Sequence, residues 1–162
     1  GVAALFVSAL RTERSILASK KVLSEVSYTM EYMSRALRMA KKDTTGDGID
    51  CISTGSNYSI NPVTHGVRFI NSLQAGDCQE FFLENGQIKV QTNIDNPPSV
   101  TLELTSSEMT VTSLEFNLSG ETQGPPDSLQ PFVTIYLSAY SKNSPAFKVQ
   151  TSLSQRNPDI RW

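Results

Sequence analysis

The sequence predicts an α+β fold in which one long N-terminal α-helix packs on an antiparallel β-sheet head. Three observations carry this. Residues Val2 to Lys42 contain neither Gly nor Pro and are rich in strong helix formers. The texture changes at Gly46, after which apolar residues recur with period two. All the helical signal precedes all the strand signal, the order expected of a helix laid on one face of a sheet rather than of alternating βαβ units.

The helix is expected over Gly1 to Asp43. Its first ten residues, Gly-Val-Ala-Ala-Leu-Phe-Val-Ser-Ala-Leu, carry no charge and one polar side chain, Ser8. Ten apolar residues are too few to cross a bilayer, which takes about 20. No basic stretch precedes them and no small-residue cleavage motif follows, so they do not read as a signal peptide. The simplest account is the end of a longer apolar helix that continues upstream of Gly1; the alternative is a short buried N-terminal helix. Arg11-Thr-Glu-Arg-Ser forms a polar belt. Ile16, Ser19, Leu23, Val26, Met30, Met33, Leu37 and Ala40 then alternate at three and four residues, making one stripe on one face. Ile16, Leu23, Val26, Met30, Met33 and Leu37 are the expected helix–sheet core. Lys41 and Lys42 suit a last turn, and Gly46 with Gly48 ends the run. From Val2 to Lys42 such a helix spans roughly 60 Å, whereas a domain of this length is about 30–35 Å across. One end must project.

Strands are expected at Gly66 to Asn71, Gln79 to Leu83, Gln87 to Thr92, Val100 to Thr105, Met109 to Leu118, Phe132 to Ala139 and Phe147 to Leu153. Asn85-Gly86 joins the second and third as a two-residue hairpin. Asp95-Asn-Pro-Pro and Gly124-Pro-Pro-Asp are loops. The chain therefore divides into an N-terminal helix, 1–43, with an apolar stem over 1–10 and an amphipathic part over 11–43, and a β-rich head, 44–162. Its 162 residues suit one domain.

Charge separates the two parts. Gly1 to Asp43 holds eight Lys or Arg against four acidic residues, net +4, and Thr44 to Trp162 holds six against twelve, net −6. A basic front and an acidic body suit packing between copies of one chain, although long exposed helices often carry Lys and Arg without any partner. The overall −2 offers no general attraction to nucleic acid.

Catalytic patterns are sparse. His65, the only histidine, sits in the turn-like Asn-Pro-Val-Thr-His-Gly and is expected to be solvated or structural. There is no Gly-x-Ser-x-Gly elbow, Ser-x-x-Lys pair or phosphate-binding Gly-x-x-x-x-Gly-Lys loop. Glu80 and Glu84 are expected to be surface charges at a strand edge or turn. Tyr58, Tyr136 and Tyr140 are scattered along the chain and Trp162 is terminal. No enzyme is expected. Asp43-Thr-Thr-Gly-Asp-Gly-Ile-Asp places Asp43, Asp47 and Asp50 at positions one, five and eight of a partial calcium loop, with Gly at six. Position three is Thr45 and position twelve, the bidentate ligand, is Thr54. A Gly-rich turn with exposed acids is the plainer account and calcium the alternative.

Taken together, the apolar Gly1 to Leu10, the continuation Tyr28-Thr-Met-Glu-Tyr-Met-Ser-Arg-Ala-Leu-Arg-Met-Ala-Lys-Lys and the closing Val149-Gln-Thr-Ser-Leu-Ser-Gln-Arg-Asn resemble a type IV pilin or pseudopilin. The resemblance covers the chain in outline. The family's leader, its mature N-terminal Phe and its Glu at the fifth mature position would lie upstream of Gly1, so no residue here takes those roles. The resemblance implies a structural subunit of a pilus or a secretion pseudopilus, a minor pilin in initiation, tip assembly or display. It implies anchoring in the inner or cytoplasmic membrane before assembly, a surface location afterwards and other pilin subunits as partners. Val2, Leu5, Phe6, Ala9 and Leu10 would then pack in lipid or in the filament core, which suits a segment apolar on every face. A pilus-tip binding module, such as an adhesin or a carbohydrate- or DNA-binding head, is the rival. In a head displayed outside the cytoplasm Cys51 and Cys78, the only cysteines, are a natural disulfide; two buried free thiols are the alternative.

Overall fold

The computed structural model describes residues 1–44, 51–74, 76–121 and 129–156. It is α+β: helix α1 (Val2–Arg38) packs against two antiparallel sheets rather than one. The first sheet has the order β1-β3-β4-β5-β6, formed by Ala40–Lys41, Val67–Asn71, Asp77–Glu84, Gln87–Thr92 and Val100–Glu103, with β2 (Tyr58–Ile60) also on β3. The second is the meander β7-β8-β9, formed by Met109–Ser119, Phe132–Ser141 and Phe147–Ser154.

The strands follow their period-two patterns. β3 buries Val67, Phe69 and Asn71 in alternation, and β8 buries Val133, Ile135, Leu137 and Ala139 toward the helix. Asn85 and Gly86 both adopt positive φ, 54° and 75°, the pair of left-handed residues a two-residue hairpin needs, and Glu84 and Gln87 face each other across it. Sheet and helix share one core: Val22, Val26, Met30, Met33 and Leu37 of α1 pack with Phe69, Phe81, Val90, Phe116, Ile135 and Leu137.

The helix departs from its expected course at both ends of the stripe. It stops at Arg38, five residues short of the expected Asp43, because the head takes its terminal carbonyls. The Tyr58 hydroxyl donates to Leu37 O at 2.7 Å, Arg156 N–H to Arg38 O at 2.7 Å, and Ser72 N–H and Oγ to Met39 O at 3.0 and 2.7 Å. These are groups a helix C-terminus leaves open. Ala40 and Lys41 pair instead with Asn71 and Ile70 of β3, so the expected last turn is an edge strand. At the other end, Ile16 and Leu23, expected in the core, are 50% and 48% exposed, and Val22 is buried in place of Leu23. The sheets do not reach below this level. The polar contacts that the helix makes there come from the segment after β6, where Glu25 accepts from Ser106 and Lys21 pairs with Glu108. The stripe continues in sequence after its partner has ended.

Tyr58 joins helix to sheet, and its removal from water raises the phenol pKa above the ordinary value of about 10. The folded protein thus holds the neutral phenol more tightly than the unfolded chain does. The corresponding stability is complete below about pH 10 and falls as pH rises beyond it. Tyr58→Phe is expected to cost about 1–3 kcal/mol at neutral pH, through the unpaired Leu37 carbonyl. Its deficit should narrow in urea unfolding at about pH 11. A deficit unchanged with pH would show that Tyr58 does not carry this dependence.

Candidate assembly surface

The first half of α1 buries none of its residues against the rest of the chain. No residue from Val2 to Lys21 is buried, a stretch of about 30 Å at 1.5 Å per residue. Its first ten residues expose large apolar side chains around the helix, Leu5 by 74% and Phe6 by 64%, together with Val2, Val7 and Leu10. Ala9 is exposed with them. One side carries the small residues Ala3, Ala4, Ser8 and Thr12 beside Val7 and Arg11, which leaves a shallow groove there. Arg11, Glu13 and Arg14 follow as an exposed charged belt, and Ile16, Leu17 and Leu23 extend the uncovered apolar surface toward the head. A soluble monomer rarely presents so large a continuous apolar surface without a partner for it. No helix of the described residues is long and apolar enough to cross a membrane.

The junction of stem and head carries an ion pair between Lys21 and Glu108. The hydrogen bond from Lys21, more than charge alone, lowers the Glu108 pKa and raises that of Lys21. Both side chains are largely exposed, so the pair positions the segment before β7 without adding much stability.

The head's remaining candidates lie apart from this surface and from one another. His65 is exposed in the turn between β2 and β3, with φ 56°. Asp43 is buried at the exit from β1, where its backbone pairs with Ser56 and Gly55; Asp47 and Asp50, the other two residues of the calcium reading, lie outside the described residues. Among the described residues no group of three or more His, Cys, Asp or Glu is placed to hold a metal. Cys51 and Cys78 form a disulfide, with Cα atoms 5.6 Å apart. Packed with Ile52, Ile70 and Ile94, it ties the segment before β2 to the start of β4.

Glu80 differs from its expected surface role. It is 1% exposed in the middle of β4, directly across from Arg68, whose Nε donates to it at 2.6 Å. Asn61 Nδ2 donates to both carboxylate oxygens at 3.0 Å, and the Thr64 hydroxyl donates to Oε1. Asn61 Oδ1 and Thr64 Oγ1 in turn accept from the Val63 and Gly66 N–H groups, so one buried charge organises the whole β2–β3 turn. Gly66 is required there because a Cβ would stand 2.4 Å from Phe81 O. A carboxylate opposite Arg on the face of the sheet turned away from the helix is the sequence signal for such a strut, and it becomes readable only once the strand register is known. Glu84 is an exposed partner of Lys89, as a surface charge would be.

Comparison with known proteins returns no matching family model, no matching curated protein and no matching solved structure.

Proposed function

We propose that this chain is a structural, non-enzymatic subunit of a type IV pilus or a type II secretion pseudopilus-like filament, a minor pilin in initiation, tip assembly or display. The observation that carries the reading is the bare stem of α1, apolar on all sides and joined to a folded head. Burying each large apolar side chain of the stem against equivalent helices is worth roughly 1.5–3 kcal/mol, so Val2, Leu5, Phe6, Val7 and Leu10 together supply ample driving force for a bundle. Before assembly the same residues would sit in the inner or cytoplasmic membrane, and after assembly the head would face the cell exterior. The partners are other pilin or pseudopilin subunits. The +4 of residues 1–43 and the −6 of residues 44–162 suit stacking of one subunit's stem beside the next subunit's body. No nucleic acid, metal or cofactor enters the reading.

Leu5→Lys tests it. A charge in lipid or in a bundle core costs at least about 2–3 kcal/mol, while the exposed Leu5 makes no contribution to the head's core. The variant should keep the circular dichroism and melting temperature of the head and fail to enter filaments, or fail to support secretion where the partner system is a pseudopilus. Normal assembly by the Leu5→Lys protein would overturn the reading.

A further inference from the structure

The outward face of the β7-β8-β9 sheet carries a feature that the assembly reading does not use. On β8 the odd-numbered residues Val133 to Ala139 fill the core, so the even-numbered residues point away from the helix. Three of these are aromatic at intervals of four: Phe132, Tyr136 and Tyr140. Phe132 and Tyr140 are 40% and 41% exposed, and Tyr136 is half-buried between them. At about 3.4 Å per residue the three rings lie in line over about 27 Å, on the central strand of the sheet. The solvent face of an antiparallel sheet is ordinarily polar. Its neighbours here are: Glu115 on β7 and Gln150 on β9 stand directly across from Tyr136, and Lys148 lies one row away, opposite Ser138. A bulge in β7 between Val111 and Ser113 bends the strand beside this row. Tyr136, Glu115, Lys148 and Gln150 line an open groove of about 540 Å³, and Phe132 and Tyr140 lie farther along the strand on either side of it.

We propose that this face binds an extended, uncharged polysaccharide. Flat aromatic side chains in a line, about 13–14 Å apart, can each stack on the C–H face of a separate, non-adjacent sugar ring of one extended chain. The carboxylate, ammonium and carboxamide beside Tyr136 supply both acceptors and donors for ring hydroxyls. One acid and one base in the groove give no net charge, which disfavours a phosphate backbone. The polar flanks on both sides of the aromatic line disfavour an apolar protein surface. This site is separate from the α1 stem, and its occupation does not depend on assembly.

The test is retardation of the full chain in native gels containing soluble xylan, mannan or hydroxyethyl cellulose. At least one of the three should slow the wild-type protein, and raising the salt should leave the effect in place, since stacking and neutral hydrogen bonds are little screened. Tyr136→Ala and Tyr140→Ala should each weaken retardation about tenfold, on the scale of one lost aromatic stacking contact. Tyr136→Phe should retain most of it, and Tyr28→Ala, which removes an exposed ring from α1, should retain all of it. Leu5→Lys should bind as wild type does, which separates this inference from the assembly reading. If Tyr136→Ala melts early, Tyr140→Ala, at a more exposed position, decides alone. No retardation by any of the three polymers, retardation unaffected in Tyr140→Ala, or binding lost in salt would each overturn the proposal.

Discussion

Leu37→Asp is expected to lower the stability of the protein by more than about 4 kcal/mol, enough to unfold the head under ordinary conditions. Leu37 is fully buried between α1 and the sheets, and an aspartate there would be a charge without a partner or water. It also sits where the helix hands its carbonyls to Tyr58, Arg156 and Ser72, so the substitution strikes the joint between the two halves of the molecule. Leu23→Asp, two heptads earlier on the same sequence stripe, should cost less than about 1 kcal/mol, because Leu23 is half exposed and its new charge remains solvated. Chemical denaturation of the two variants beside wild type makes the comparison. Equal losses would mean that the helix sits on the sheets with a different face from the one described.

Opening the Cys51–Cys78 bridge is the second large change expected. The bridge closes a separation of 27 residues, and restoring that freedom to the unfolded chain costs about 3–4 kcal/mol of stability by the loop-entropy estimate. In a protein of this length that corresponds to a fall in melting temperature of roughly 10 °C. The double variant Cys51→Ala with Cys78→Ala should therefore melt well below the oxidised wild type and close to the reduced wild type. The bridge and its isoleucine neighbours form a small cluster apart from the main core. The helix–sheet contacts at Val26, Met33 and Leu37 should survive its loss, visible as unchanged helical circular dichroism below the transition. A bridge-free variant that melts with the oxidised protein would show that the segment before β2 is held by other contacts.

The chain's architecture was readable from local patterns because each pattern is enforced locally. A Gly- and Pro-free run with apolar residues at three and four makes a helix wherever it finds a surface. Strict alternation in Met109 to Leu118 or Phe132 to Ala139 makes a strand with one buried face. Asn85-Gly86 makes its hairpin because few other residue pairs tolerate two positive φ angles in succession. The sequence offers each cysteine a single intramolecular partner, and the fold decides that the two are bonded rather than free by bringing their Cα atoms within 5.6 Å.

What the sequence by itself determined, then, is the order helix then strands, the α+β class, the apolar stem and most strand positions. Tertiary structure alone decided where the helix ends, which part of its stripe is covered and which charges are buried. Ala40–Lys41 and Tyr58–Ile60 are too short to carry a period, and they are strands because β3 offers both of them one open edge. Ile16 and Leu23 repeat the spacing of Met30 and Leu37, yet only the latter pair meets the sheets. Glu80 is a buried strut because Arg68 lies opposite it in register and the Asn61–Gly66 turn closes over it. Phe132, Tyr136 and Tyr140 form a line because they fall on the outward face of one strand whose inward face is already filled. Periodicity states that a face exists; how far a neighbouring element extends over it depends on contacts between residues distant in the chain, and no local pattern encodes that.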